Sequence, residues 1–227
     1  MCADPGRSVR PFPSDAELVG RLRQKDEDAF ALIVDEWSGG ILRLARSIVS
    51  TGESATEVVQ DTWLAVIRGV GSFEGRSSLK TWVYRIAVNA AKRRAAREGR
   101  AVPWSSLPHP DDLGPTVDPS RFRGADDPYP GDWWAYPMQW PSPEQQALNS
   151  EIRDVVADAV AALPDRQRVV ITLRDIEGHD SDEVCEILDI STGNQRVLLH
   201  RARAVVRHRL EDYFAGDGES GRRPHNA

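Results

Sequence analysis

The chain has 227 residues, 40% of them hydrophobic and 28% charged, with a formal net charge of −6. That length suits one large domain or two small ones, with enough apolar residues for packed cores. No apolar run approaches the roughly 18 residues of a membrane span, no apolar stretch of a secretory signal precedes Ser14, and Cys2 and Cys185 lack metal-ligand spacing. The composition therefore excludes membrane insertion by the chain itself, a disulfide framework and a zinc site, and points to a reducing cytoplasm.

Residues 1–13 read as a disordered N-terminus. Ser14-x-x-Glu17 then forms a capping box ahead of Leu18, Val19 and Leu22, which starts a helix. Apolar residues continue at helical spacing through Phe30, Ile33, Trp37, Ile41, Leu44 and Ile48. A second capping box, Ser54-x-x-Glu57, precedes a stripe at Val58 or Val59, Thr62 or Trp63, and Val66 or Ile67. After glycines 69, 71 and 75, a further helix from about Ser78 presents Leu79, Trp82, Val83, Ile86, Ala87 and Ala90. No period-two strand pattern occurs, so residues 14–99 read as an all-helical bundle.

Residues 103–143 hold ten of the fifteen prolines, six Asp against two Arg, and four of the seven tryptophans. Proline at this density removes backbone donors and disfavours helix before each ring. Residues 100–141 are therefore read as an extended linker, with Trp133, Trp134 and Trp140 as anchors for docking. Helix resumes at Ser142-Pro143-Glu144-Gln145, an N-cap followed by Pro at the first helical position. Pro164 opens another helix that stops at Gly178. Ser181 caps a short one, and after the turn Asp189-Ile190-Ser191 a longer helix runs from Thr192 to about Tyr213. The second domain spans 142–214, and 215–227 reads as a disordered tail.

Charge is unevenly spread. Residues 76–100 carry eight Lys or Arg against Glu98 alone, and residues 191–210 carry five Arg and no acid. Residues 144–189 carry twelve acids against four Arg. Two basic stretches in an acidic chain fit two contacts with a polyanion, although solvated helix faces would show the same charges.

Two helices joined by a tight turn, with small Cys185 in the first and Ile190 in the turn, fit a helix-turn-helix. The second presents Asn194, Gln195, Arg196, His200, Arg201 and Arg203, types suited to base edges and phosphates in a major groove. A helical hairpin with a basic exposed face is the plainer alternative. Residues 73–89 interleave aromatics, Arg and small polar residues after a glycine-containing loop, which suits unpaired bases. Trp82 belongs to the packing there; Tyr84, Asn89 and Arg93 lie off its stripe and are expected to face solvent.

Taken together, these halves resemble regions 2 and 4 of the extracytoplasmic-function sigma factors, the small two-domain members of the sigma-70 family. Thr56-Glu57-Val58-Val59-Gln60-Asp61-Thr62-Trp63 is similar to the region 2.2 helix, and Phe73 to Asn89 to regions 2.3 and 2.4. Residues 178–191 followed by Leu199-His200-Arg201-Ala202-Arg203 are similar to region 4.2. Asp189 stands where the family has a turn glycine, and Gln195 where it has an apolar residue.

The resemblance implies an all-α fold of two small helical domains and an alternative sigma factor that directs promoter-specific initiation. It implies core RNA polymerase as a partner, held through Glu57, Gln60, Asp61 and Trp63. It implies promoter DNA as a second partner. The minus-ten element would be met by Arg76, Ser77, Lys80, Tyr84, Arg85, Asn89, Lys92 and Arg93, and the minus-35 element by the residues of the second basic helix. An anti-sigma factor is implied as antagonist, and the connector of related proteins threads the polymerase cleft. No cofactor, metal or catalytic residue is expected: the five histidines form no ligand cluster, and no nucleophile motif or phosphate-cradling loop is present. The alternative is a helix-turn-helix repressor or activator with a regulatory N-terminal domain.

Overall fold

A computed structural model of the chain describes residues 12–99 and 150–220, with only helical elements and no strand among them. The linker, its tryptophans and the expected helix start at Ser142 lie outside the described residues. In the first domain, α1 (Asp15–Arg23) begins where the sequence places it, with the Ser14 hydroxyl accepting from the Glu17 amide at 3.4 Å. The regular apolar spacing conceals a break after it. Lys25 adopts φ 62°, and Asp26 caps α2 (Glu27–Arg46) by accepting from the Ala29 amide at 3.1 Å. Arg21 donates to the other Asp26 oxygen at 2.8 Å, which fixes the corner.

The capping box expected at Ser54 is not formed. Thr51 caps α3 (Gly52–Gly69), its hydroxyl accepting from the Ser54 amide at 3.1 Å. Ser54 lies one turn inside and buried, and Glu57 pairs with Arg94 instead. The helix α4 (Leu79–Arg97) starts at Ser78 as expected, and its first amide donates to Asp15 of α1 at 2.7 Å. Ile33, Trp37, Ile41 and Leu44 from α2 meet Val58 and Val66 from α3 and Leu79, Val83, Ala87 and Ala91 from α4.

The second domain begins with α5 (Ser150–Ala161) and α6 (Asp165–Ile171), the latter preceded by Pro164. A π-helical turn, Thr172–Ile176, follows α6, and Gly178 takes φ 73°. Such wide turns re-aim the residues that follow them. Here they aim Glu177 and His179 at the first domain. Asp180, not Ser181, caps α7 (Ser181–Leu188): its carboxylate accepts from the Glu183 amide at 2.8 Å while Glu183 accepts from the Asp180 amide at 3.0 Å. Asp189 closes α7 in the left-handed region at φ 57°, so Asp fills the turn that glycine would otherwise take. The long α8 (Thr192–Ser220) continues past Ala215, where the sequence suggests a tail.

The two domains touch. The helix α7 packs along α4, and the π-turn meets α2. Asp180→Ala removes one half of the α7 capping box and should cost roughly 1 kcal/mol. Chemical unfolding of the parent and variant measures this; no change would mean that α7 is held by packing alone.

Candidate functional site

Three surfaces gather the residues singled out by the sequence. The first begins at the loop before α4. Phe73 is buried beside Trp82 with ring centroids 5.1 Å apart, and Arg23 donates to the Phe73 carbonyl at 2.6 Å. Phe73, Trp82, Arg76, Ser77 and Arg85 line a cavity of about 300 Å³, with Glu186 of α7 closing one side. Aromatic walls with guanidiniums at the mouth suit a flat base whose backbone is anionic. Trp82 is half-buried and rests against Gly69, the supporting place expected for it. Asn89 and Arg93 face solvent, also as expected.

Tyr84 does not. Its side chain is 1% exposed. It lies off the apolar stripe of its own domain, but the second domain covers it. The hydroxyl donates to the Glu177 carboxylate at 3.0 Å, and the ring meets His179 edge-on at 4.5 Å between centroids. Burial, then the Glu177 charge, pushes the phenol well above its ordinary pKa. Around this contact Arg43 donates to Glu177 at 2.7 Å and Lys80 to the Glu177 carbonyl at 2.9 Å. Ser78 and Thr81 donate to Glu183 at 3.1 and 2.6 Å. Arg85 reaches Glu186 at 3.2 Å, and Lys92 reaches the Leu188 carbonyl at 3.3 Å, with burial holding the Lys92 pKa below its usual range.

The second surface is on α3. Gln60 and Asp61 are exposed, and Glu57 is half-buried at the edge. Leu64 and Ile67 lie on the same side at 49% and 54% exposure. The sequence reading missed this pair because Ile67 is an alternative to Val66 at helical spacing; only the rotation of α3 in the bundle separates them. Trp63 is corrected as a surface candidate. It is buried, donates through Nε1 to Ser38 at 3.0 Å, and packs edge-on to Phe30.

The third surface is the exposed side of α8. Asn194 and Gln195 are buried, at 4% and 1% exposure, and cannot read base edges. Gln195 takes the inward place of an apolar residue by accepting from the Ser181 hydroxyl at 3.0 Å. With Leu198, Leu199 and Ala202 it forms the inner stripe, which leaves Thr192, Arg196, His200 and Arg207 outside. Arg201 is half-buried, and Arg203 makes two bonds to Asp175 at 2.7 and 2.9 Å.

Residues 33–101 match the sigma-70 region 2 family and residues 153–206 match sigma-70 region 4. The ECF RNA polymerase sigma-E factor of Haemophilus influenzae is 31% identical over 198 residues, covering 87% of this chain and 96% of that protein. The chain belongs to the extracytoplasmic-function sigma factors. It is an alternative sigma factor. The sigma-E factor of Escherichia coli strain K12 is 29% identical, over 87% of this chain and 95% of its own. In fold, the sigma factor is similar to CnrH in complex with the cytosolic domain of CnrY (TM-score 0.54, 20% identity, 88% of this chain and 99% of that one). It is also similar to the sigma factor RpoE in complex with the anti-sigma factor NepR from Bartonella quintana (TM-score 0.52, 21% identity, 80% of this chain and 96% of that one).

No cluster of His, Cys, Asp and Glu among the described residues could hold a metal, and none of the described helices is long and apolar enough to cross a membrane. Beside Tyr84, the sigma factor buries a histidine at the domain contact. His179 is 1% exposed, and its Nδ1 lies 3.4 Å from the Glu183 carboxylate. Burial and then the Lys80 charge hold its pKa below 6.5, against a smaller opposing pull from Glu183. Burial also raises the Glu183 carboxyl, but bonds from Thr81 and the Asp180 amide outweigh it and leave the group below its ordinary value.

Both shifts have the same sign for stability. A neutral His179 and an ionised Glu183 are favoured in the fold, so each contributes fully above its unfolded pKa and loses that contribution as pH falls. For His179 the loss begins below 6.5. The protection of α7 amides, taken relative to the intrinsic exchange rate at each pH, should fall as pH drops below 6.5, and less so in His179→Phe. Equal loss of protection in both proteins would remove His179 from the contact's pH response.

Proposed function

We propose that this sigma factor binds core RNA polymerase through the exposed side of α3, holds the melted minus-ten strand on α4, and places α8 in the minus-35 major groove. The observation that carries the proposal is the Phe73–Trp82 cavity with Arg76 and Arg85 beside it, at the head of a helix bearing Lys80, Asn89, Lys92 and Arg93. Unpaired bases gain roughly 1–3 kcal/mol each from aromatic stacking, which offsets the few kcal/mol of unstacking that strand opening costs. On α3, Leu64 and Ile67 supply apolar area, with Gln60 and Asp61 as polar neighbours and Glu57 at the rim. On α8, Arg196 and His200 are the base-reading candidates, and Arg201, Arg203 and Arg207 the phosphate candidates.

The sigma factor then carries no catalytic residue; phosphoryl transfer belongs to the core enzyme, and the work takes place in the cytoplasm. The exposed apolar pair Leu64 and Ile67 on α3 favours this reading over a repressor, which has no use for it. An anti-sigma factor is the expected antagonist. Two proteins of similar fold were determined with partners, CnrH with CnrY and RpoE with the anti-sigma factor NepR.

Ile67→Glu and Asp61→Lys should each weaken association with core polymerase about tenfold or more, equivalent to roughly 1.4 kcal/mol, with unchanged helicity. Normal holoenzyme formation by both would reject the α3 contact. Arg196→Ala should cost about 1–3 kcal/mol in minus-35 binding and relax specificity at one base pair. A uniform loss across all promoter variants would make Arg196 a phosphate contact instead.

A further inference from the structure

The loop between α3 and α4 forms one wall of the Phe73–Trp82 cavity, through Phe73, Glu74, Arg76 and Ser77. Its own residues do little to hold it in place. Glu74, Gly75 and Arg76 are exposed, Gly75 takes φ 71° in open space, and Glu74 and Arg76 pair with each other. A segment with so few buried contacts is ordinarily among the first to move. Here both of its ends are tied to α1. Arg23 donates to the Phe73 carbonyl at 2.6 Å, and the Leu79 amide donates to the Asp15 carboxylate at 2.7 Å. Among the described residues of the first domain, these are the hydrogen bonds that join residues 73–79 to another helix.

Asp15 opens α1 and Arg23 closes it. The two ends of one short helix, about 12 Å apart along its axis, therefore grip the two ends of the loop. The helix is itself well seated, with Leu18, Val19 and Leu22 buried and Arg21 fixing the corner at Asp26. The cap of α4 does not require Asp15, because Ser78 already accepts from the Thr81 amide at 3.0 Å. Asp15 instead takes the first amide of α4, a donor with no partner inside its own helix, where a carboxylate is favoured by the helix dipole.

We propose that Asp15 and Arg23 are positioning residues for base selectivity: they hold the loop wall of the cavity in one place, so that the cavity fits one unpaired base better than the others. This rests on the proposed capture of the melted strand by that cavity. Stacking alone is tolerant of sequence, since every base has a flat face. Discrimination needs the walls held to within about 0.5 Å, and a loose wall would adapt to any base. Neither side chain is part of the cavity wall, and their charges are opposite. A direct contact with DNA would make Asp15 repel the strand and Arg23 attract it, whereas action through the loop makes loss of either one act in the same direction.

The test uses holoenzyme reconstituted from the full chain and core polymerase. Its probes are fluorescein-labelled non-template strands of a promoter that the parent holoenzyme opens, with each minus-ten position carrying each of the four bases in turn. The parent should prefer one base at one position by about tenfold or more. Asp15→Ala and Arg23→Ala should both lower that ratio to about threefold or less, since one hydrogen bond is worth roughly three- to tenfold. Asp15→Asn keeps an acceptor oxygen and Arg23→Lys keeps a donor, so both should retain the parent's ratio. Association with core polymerase and helicity should be unchanged in all four variants.

A ratio that survives in both Ala variants, whether or not affinity falls equally for all bases, would overturn the positioning role. So would tighter binding by Asp15→Ala beside weaker binding by Arg23→Ala, the signature of direct charge effects. Loss of the ratio in Asp15→Asn as complete as in Asp15→Ala would overturn it too, because the bond is kept and the charge alone is gone. A parent with no base preference at any position would reject strand capture by the cavity, and the positioning with it. The two ties are independent, so if circular dichroism shows that one variant has lost its fold, the other decides.

Discussion

The Glu177 carboxylate joins the two halves of the molecule. It reaches across from the end of the π-turn to accept from Arg43 on α2 and from Tyr84 on α4. Its backbone carbonyl takes Lys80 at the same time. A buried carboxylate gains little net energy from one partner, because removing it from water costs several kcal/mol. Here the cost is met by shared bonds, while Arg43 stays 54% exposed and hydrated. Exposed pairs such as Arg85–Glu186 add about 0–1 kcal/mol each. The polar part of the domain contact is therefore specific in geometry and modest in strength, while the buried apolar residues of the two domains form one cluster that includes Val184, Ile187 and Leu188.

Local turns decide where that carboxylate arrives. The π-turn and the left-handed Gly178 end α6 so that Glu177 and His179 leave it toward the first domain. The Asp180–Glu183 capping box then starts α7 in register with α4. Glu183 serves twice, capping its own helix and accepting from Ser78 and Thr81, the residues that open α4. Two helix starts are thereby tied together, and the α4 cations lie along the α7 oxygens. The other surfaces stand apart: Leu64 and Ile67 on α3 remain exposed, as do Arg196 and His200 on α8.

Local chemistry was legible in the sequence where a residue acts on near neighbours. Ser14 and Ser78 are caps because their hydroxyls meet amides three residues on, and Asp189 takes the left-handed turn at the place where the family has a glycine. The failures have physical causes. Apolar spacing persists through the Lys25 corner because both flanking helices face one core. Thr51 and Ser54 each carry a hydroxyl with suitable spacing, and burial of Ser54 decides between them. Gln195 looked like a base reader because a polar residue is rarely buried, yet its side-chain oxygen accepts from Ser181 of the neighbouring helix. Tyr84 could not be placed from its own helix at all, since its partner lies 93 residues away.

The proposed strand-binding surface and the domain contact therefore share the same face of α4, and the most direct test asks what that face touches in each state. A photo-reactive amino acid in place of Arg85, which borders both the aromatic cavity and Glu186, reports its neighbour on illumination. The expected result is a cross-link to α7 in the free chain, replaced by a cross-link to the non-template strand when holoenzyme has opened a promoter. A cross-link to α7 that persists undiminished in the open complex, with none to DNA, would contradict a shared face.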